Sequence, residues 1–265
     1  MKKNIILLIA ILLLSGCNCA FKKDNTAVYN PKVLSLDSSQ ETAKTPASSE
    51  MPAETKIPEF IDLKTPFVSQ APLNNWDNLH NEACEEASVL SVIAGLENQS
   101  LSRDEMDKEI IKMVDWQMDY FGGHYDLPIN NVEELIEKYY NNKYNVQIIE
   151  NPSMDNIKKE LASGNPLIIP ASGRTLANPH YTGLGPVYHM LVIRGYDENT
   201  QEFITNDVGT HHTGDSYRFK MSIVFDAIHD MPAWGKQKND LDRDPNMIFE
   251  GRKVVIIVEK SIVDF

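Results

Sequence analysis

Asn81-Glu82-Ala83-Cys84-Glu85-Glu86-Ala87-Ser88-Val89-Leu90-Ser91-Val92-Ile93-Ala94-Gly95-Leu96 joins an acidic start to an almost unbroken apolar body. Carboxylates in a first turn followed by a long apolar run predict a helix from Glu82 to about Asn98. Ala83, Ala87, Ser91 and Ala94 recur every three or four positions. Small residues at that spacing let a helix approach its neighbours closely, which suits the centre of a domain. Cys84 stands at the mouth of this helix, where unpaired N–H groups and the positive end of the helix dipole favour a thiolate.

Working outward, Phe60 to Val68 reads as an extended lead-in, since Pro58, Pro66 and Pro72 discourage helix. Ser102 three residues before Glu105 is a capping box and opens a second helix, Ser102 to Val114. Asn131 to Tyr140 is a third, with Val132, Leu135, Ile136 and Tyr139 on one face. Val146 to Ile149 reads as a strand, Ser153 to Ser163 as a helix closed by Gly164, and Pro166 to Pro170 as a buried strand. An irregular stretch, 171–186, precedes the strands Tyr188–Tyr196 and Glu202–Asn206, which the turn Asp197-Glu198-Asn199-Thr200 joins as a hairpin. A helix near Met221–His229 and a last strand, Lys253–Glu259, follow. Helices first and hairpin-linked strands later make an α+β layout, with the Cys84 helix packed on an antiparallel sheet.

That packing brings the helix tip to the strand that His189 opens. Asn206 and Asp207 end the next strand, so nucleophile, base and orienting group occur in the order Cys, His, Asp, each at the end of a regular element. These are the parts of a thiol hydrolase. The imidazole takes the thiol proton, and a thiolate–imidazolium pair is the expected resting form. Asp207, or Asn206 if the register differs, accepts the other ring N–H and fixes the tautomer. Gln70 precedes Cys84 by a modest distance, and its NH₂ with the Cys84 backbone N–H makes a candidate oxyanion site. Each residue has a plainer reading. Cys84 can be a small buried hydrophobe, His189 a satisfied core residue, and Asp207 a turn initiator before Val208-Gly209.

Val68-Ser69-Gln70, then Cys84 heading a helix that continues Ala87-Ser88, then His189 opening a strand that ends Gly195-Tyr196-Asp197, then Thr205-Asn206-Asp207, form one ordered pattern. It resembles papain-fold cysteine peptidases of the bacteriocin-leader-processing, C39-like type, nearest to their stand-alone relatives without a transporter. The resemblance covers about Phe60 to Glu259. It implies a papain-like fold, Cys84 as nucleophile, His189 as base, Asp207 as orienting acid and Gln70 as oxyanion donor. Two departures stand out. The family usually has Gly-Pro directly after the cysteine, where this chain has Glu85-Glu86, and Val208 stands where a proline often follows the acid. With Glu82, the two carboxylates oppose a thiolate.

Ahead of this domain, Lys2 and Lys3 precede an apolar stretch from Ile5 to Leu14, the layout of an export signal. Leu14-Ser15-Gly16-Cys17 resembles a bacterial lipobox, which implies cleavage before Cys17 and a lipid on its sulfur. Residues 18 to about 57 are rich in Ser, Thr, Lys, Glu and Pro and read as a flexible tether. The expected organisation is thus a signal over 1–16, a lipidated linker over 17–57 and a peptidase-like domain over 58–265, on the outer face of a bacterial membrane.

A formal net charge of −13 disfavours nucleic acid and anionic headgroups as partners. Of three cysteines only Cys84 falls in the domain, which allows no internal disulfide there. Four of its other histidines, His124, His180, His211 and His212, lack compact metal-ligand spacing, so neither metal nor cofactor is expected. His180 reads as part of a rim or lid, and Trp76, more than Trp116 or Trp234, as a cleft residue. The expected function is cleavage of peptide or isopeptide bonds in a peptide or protein substrate at the cell envelope. An amine in place of water would make the same site an acyl transferase of transpeptidase or transglutaminase type. A binding module that keeps the fold without the chemistry is the rival of another class.

Overall fold

β4 (His189–Asp197) lies inside an antiparallel sheet, and its burial explains its composition. The structure, a computed structural model, describes residues 57–210, 212–232 and 238–261. The proposed signal, Cys17, most of the linker, His211 and Trp234 therefore lie outside the described residues. Around β4 are β1 (Phe60–Asp62), β2 (Tyr144–Glu150), β3 (Leu167–Ala171), β5 (Glu202–Asn206), β6 (Tyr217–Lys220) and β7 (Val254–Lys260). They run in the order β2-β7-β3-β4-β5-β6, with β1 also paired to β4.

Helices cover both faces of this sheet. On one side sit α1 (Cys84–Leu96), α2 (Arg103–Tyr120) and α3 (Ile129–Tyr139), sharing a core with Ile168, Met190, Val192, Val254 and Ile256. On the other, α4 (Met154–Ala162) and α6 (Met221–Ala227) pack with the alternate residues Leu167, Ile169, Leu191, Ile193 and Ile257. A strand covered on both sides has no solvent face, so β3, β4 and β7 read as continuous apolar runs rather than as alternating ones. The fold is α+β with the Cys84 helix on an antiparallel sheet, as the sequence predicts.

Three differences from the expected elements have physical causes. α1 begins at Cys84 and not at Glu82, because a short 3₁₀ turn, His80–Glu82, comes first and Ala83 breaks the path with φ −103° and ψ 29°. α2 keeps the Ser102–Glu105 capping box but runs on to Tyr120. Tertiary contacts hold its last turn: Trp116 meets Tyr139 of α3 edge-on, Tyr120 Oη donates to Glu134 of α3, and buried Gln117 donates to Glu86 of α1. β6 escapes the sequence reading because it is short and lies at the sheet edge, with only Phe219 fully buried. Short elements also form at α5 (Gly173–Leu176), inside the irregular stretch, and at α7 (Lys238–Arg243). Gly164, at φ +96°, closes α4 in the left-handed conformation that glycine adopts without steric cost.

Candidate active site

α1 delivers Cys84 to the sheet, and β4 begins beside it. Cys84, His189, Gln70 and Gly209 line one cavity of about 680 Å³. The cysteine is unpaired and buried. A backbone hydrogen bond from Met190, the residue after His189, reaches the sulfur and favours its charged form. As the first residue of α1, Cys84 carries an N–H that the helix ladder does not require.

His189 Nε2 lies 2.9 Å from Asp207 Oδ1. Asp207 has no exposed surface, yet its carboxyl is held below the usual range. Burial opposes this, and the bonds from His189, Tyr181 and Asn178 outweigh it. An ionised carboxylate only accepts, so Nε2 is the protonated nitrogen and Nδ1 is left as the basic one. The backbone of Asp207 does start a turn, its carbonyl accepting from Thr210 N at 3.3 Å, but the carboxylate is directed to the ring. Asn206 points elsewhere. Its Nδ2 donates to Thr65 O, Pro66 O and Ser91 Oγ at 3.0–3.1 Å, tying β5 to α1 and to the lead-in segment.

Asn178 Nδ2 and Tyr181 Oη each donate to Asp207 Oδ2 at 2.8 Å. Both come from the irregular stretch, as does His180 on the cavity wall. The Tyr181 ring also stands edge-on to His189, at 5.5 Å between centroids. Sequence reasoning misses both residues, since nothing local distinguishes an asparagine or tyrosine that will meet a carboxylate.

Gln70 sits in the cavity wall, with its backbone N–H on Val208 O at 3.0 Å. Its NH₂ is engaged by the carbonyls of His80, at 2.8 Å, and Asn81, at 3.3 Å. Its Oε1 is buried with no partner among the described residues. The amide therefore reaches the cavity as an acceptor, and it donates to an oxyanion only after leaving one carbonyl. A buried His80, absent from the sequence reading, secures those carbonyls. Its Nδ1 lies 2.8 Å from Asp77 and its Nε2 3.1 Å from Asp107 of α2.

The two glutamates after Cys84 are both buried. Cys84 Sγ donates to Glu85 Oε2 at 3.1 Å, and Leu127 N–H donates to Glu85 Oε1 at 2.9 Å. Burial, then Glu85 and Asp126, push the thiol well above its ordinary range. These surroundings favour the thiol and oppose the expected thiolate–imidazolium pair. Glu86 faces away, toward Gln117 and toward His124 in the loop between α2 and α3. Cys84, Glu85 and Asp126 have donor atoms within 4.8 Å of one another, the single grouping of that kind among the described residues. Trp76 lines the cavity, whereas Trp116 packs with Tyr120, Phe121 and Tyr139.

Fold and cavity together define a cysteine-peptidase-like protein. The Peptidase_C39 like family matches residues 63–235, more than half of the chain, and the chain belongs to that family. A crystallised chain from Bacillus anthracis, described as a C39-like peptidase, is similar at 14% identity. The match covers 77% of this chain and 100% of that one, with a TM-score of 0.46. Xylellain, a cysteine protease from Xylella fastidiosa, is similar at 12% identity over 78% of this chain and 87% of that one, with a TM-score of 0.46. No curated protein matches the chain.

Proposed function

We propose that this protein is a thiol hydrolase that cleaves peptide or isopeptide bonds through Cys84, His189 and Asp207. Its substrate is a peptide or protein at the cell envelope, and a lipid on Cys17 holds it to the outer face of a bacterial membrane. One observation carries the catalytic part: the buried His189–Asp207 pair at 2.9 Å opens on the same cavity as the lone cysteine at the start of α1. The anchoring part rests on Leu14-Ser15-Gly16-Cys17 after the apolar stretch.

In this reading His189 Nδ1 takes the Cys84 proton, and the sulfur attacks the scissile carbonyl carbon. The Cys84 backbone N–H and the Gln70 amide, turned from the His80 carbonyl, hold the resulting oxyanion. The imidazolium then protonates the leaving amine, and a thioester remains on Cys84. Water, losing its proton to His189, attacks that thioester and restores the thiol. An amine in place of water gives acyl transfer by the same steps.

A second reading has one observation in its favour. A thiol that is buried, bonded to Glu85 and held protonated is also what a non-catalytic binding module would carry. Incubation of the full chain with an epoxide-type thiol inhibitor, followed by mass mapping, separates the two. Label on Cys84 that is lost in His189→Ala supports the hydrolase. Equal labelling of both proteins, or none in either together with no peptide hydrolysis, favours the module. Retention in a membrane fraction that Cys17→Ala abolishes tests the anchor.

A further inference from the structure

The residue after the cysteine is where this chain departs from the family pattern, and it touches the reacting atom. Glu85 Oε2 lies 3.1 Å from Cys84 Sγ. The other oxygen, Oε1, is fixed by Leu127 N–H at 2.9 Å, so the carboxyl group cannot turn away from the sulfur without giving up a buried hydrogen bond. The side chain is 1% exposed. We propose that Glu85 is a fourth catalytic group, one that sets the protonation of the nucleophile. As a carboxylate it accepts the S–H bond and keeps the thiol; as a carboxylic acid it donates to the sulfur and keeps the thiolate. This rests on Cys84 being the nucleophile.

The surroundings favour the acid form over an unusually wide range. Glu86 lies beside it on α1, Asp126 faces it from the segment before α3, and Cys84 itself is the contact. Tyr188, just ahead of β4, also senses its charge, and its hydroxyl is committed to Leu127 O at 2.9 Å. Burial, Asp126 and Glu86 raise the Glu85 carboxyl well above its ordinary range, against the Cys84 and Leu127 hydrogen bonds. His189, next to Met190, is the cation-forming partner across the cavity.

Proton accounting then links the two groups. Transfer of the Cys84 proton to His189 Nδ1 leaves the number of bound protons unchanged, so pH alone does not choose between thiol–imidazole and thiolate–imidazolium. The charge on Glu85 does. A proton taken from solvent by Oε2 removes the carboxylate charge beside the sulfur and supplies a donor in its place. The like charge in that position disfavours the thiolate on the order of tenfold or more. The nucleophile is thus armed on the acid side and disarmed as pH rises through the Glu85 titration.

Ultraviolet thiolate absorbance of the full chain, with Cys84→Ser as the blank, tests this between about pH 4 and pH 11, a range that brackets the ordinary carboxylate and thiol values. The wild type should show an acid-side maximum, a fall as pH rises, and a second rise where the thiol itself ionises. Glu85→Gln is a near-isostere of the acid, with an oxygen for Leu127 N–H and an NH₂ for the sulfur. On the alkaline side of the Glu85 titration its thiolate signal should exceed that of the wild type by about tenfold, and it should show no fall. A single rise with pH, at the same midpoint in both proteins, would overturn the proposal, as would a weaker signal in Glu85→Gln. The wild-type curve decides alone if the variant does not fold. Peptide hydrolysis run in parallel keeps the two ideas apart: absence of cleavage in every protein removes the hydrolase and leaves the absorbance result standing.

Discussion

His189 and Asp207 meet at 2.9 Å in a place where the carboxylate has no contact with solvent. A buried carboxylate must be compensated, and this one accepts three side-chain hydrogen bonds in all. Its charge orients the ring with the proton on Nε2, which is what makes Nδ1 a base.

Asp207→Ala should therefore lower kcat/KM for a peptide substrate by about 10²–10⁴-fold, the usual range for losing an orienting acid. Asn206→Ala should act differently. It removes the donors to Thr65, Pro66 and Ser91, so it costs about 1–3 kcal/mol of stability and leaves turnover per folded molecule within a few-fold. Hydrolysis and thermal melts on both variants check the ranking, and the reverse order would remove Asp207 from the site.

Tyr181→Phe keeps the ring edge-on to His189 and deletes only the hydroxyl that donates to Asp207. A hydrogen bond to a charged group is worth about 1.5–3 kcal/mol, so kcat should fall roughly tenfold or more. With one fewer donor the Asp207 carboxyl moves up, and the acid limb of the pH–rate profile should move up with it. An unchanged profile would make Tyr181 a packing residue only.

Gly209→Ala should damage the site without unfolding the protein. A Cβ at that position would stand 2.8 Å from His189 Cε1, 3.2 Å from Nε2 and 3.4 Å from Gln70 Oε1. The imidazole has to shift, and a displacement of under an ångström in a catalytic group can cost on the order of 10²-fold in rate. A near-native melting temperature with kcat reduced by that order is the expected result, and a fully active variant would show that the ring has room to spare.

Glu85 makes the stability of the fold pH-dependent in a direction opposite to Asp207. Its folded pKa is raised well above its ordinary value of 4.5, so the folded state keeps a proton that the unfolded state releases. Stability should fall as pH rises from about 4.5 through the raised folded value, and then level off. Asp207, lowered from 3.8, contributes stability above that value that is lost as pH falls below it. In Glu85→Gln the melting temperature should gain on the wild type progressively across the first window. A constant difference at all pH values would mean that Glu85 does not titrate there.

Much of this architecture is written locally. The Ser102–Glu105 capping box, the closure of α4 at Gly164 and the hairpin between β4 and β5 each depend on a few neighbouring residues, and each forms as read. The edge strand β6, the last turn of α2 and the buried His80 do not, because their stability comes from partners in other elements. Asp107 reaches His80 from α2, and Glu86 reaches Gln117 across two helices. The site divides in the same way. Cys84, His189 and Asp207 mark the ends of periodic segments, whereas Asn178 and Tyr181 come from an irregular loop whose path no periodicity predicts.

The sequence alone determined the α+β layout, the helix with the cysteine near its start and the strand that begins at the histidine, because apolar periodicity and end signals act over one or two turns of chain. Only the tertiary structure decided which of Asn206 and Asp207 faces the ring, that Gln70 turns its NH₂ to backbone carbonyls, and that Glu85 bends back onto the sulfur. Those choices depend on burial and on hydrogen bonds between segments far apart in the chain. Desolvation of that kind exists only once the elements have packed.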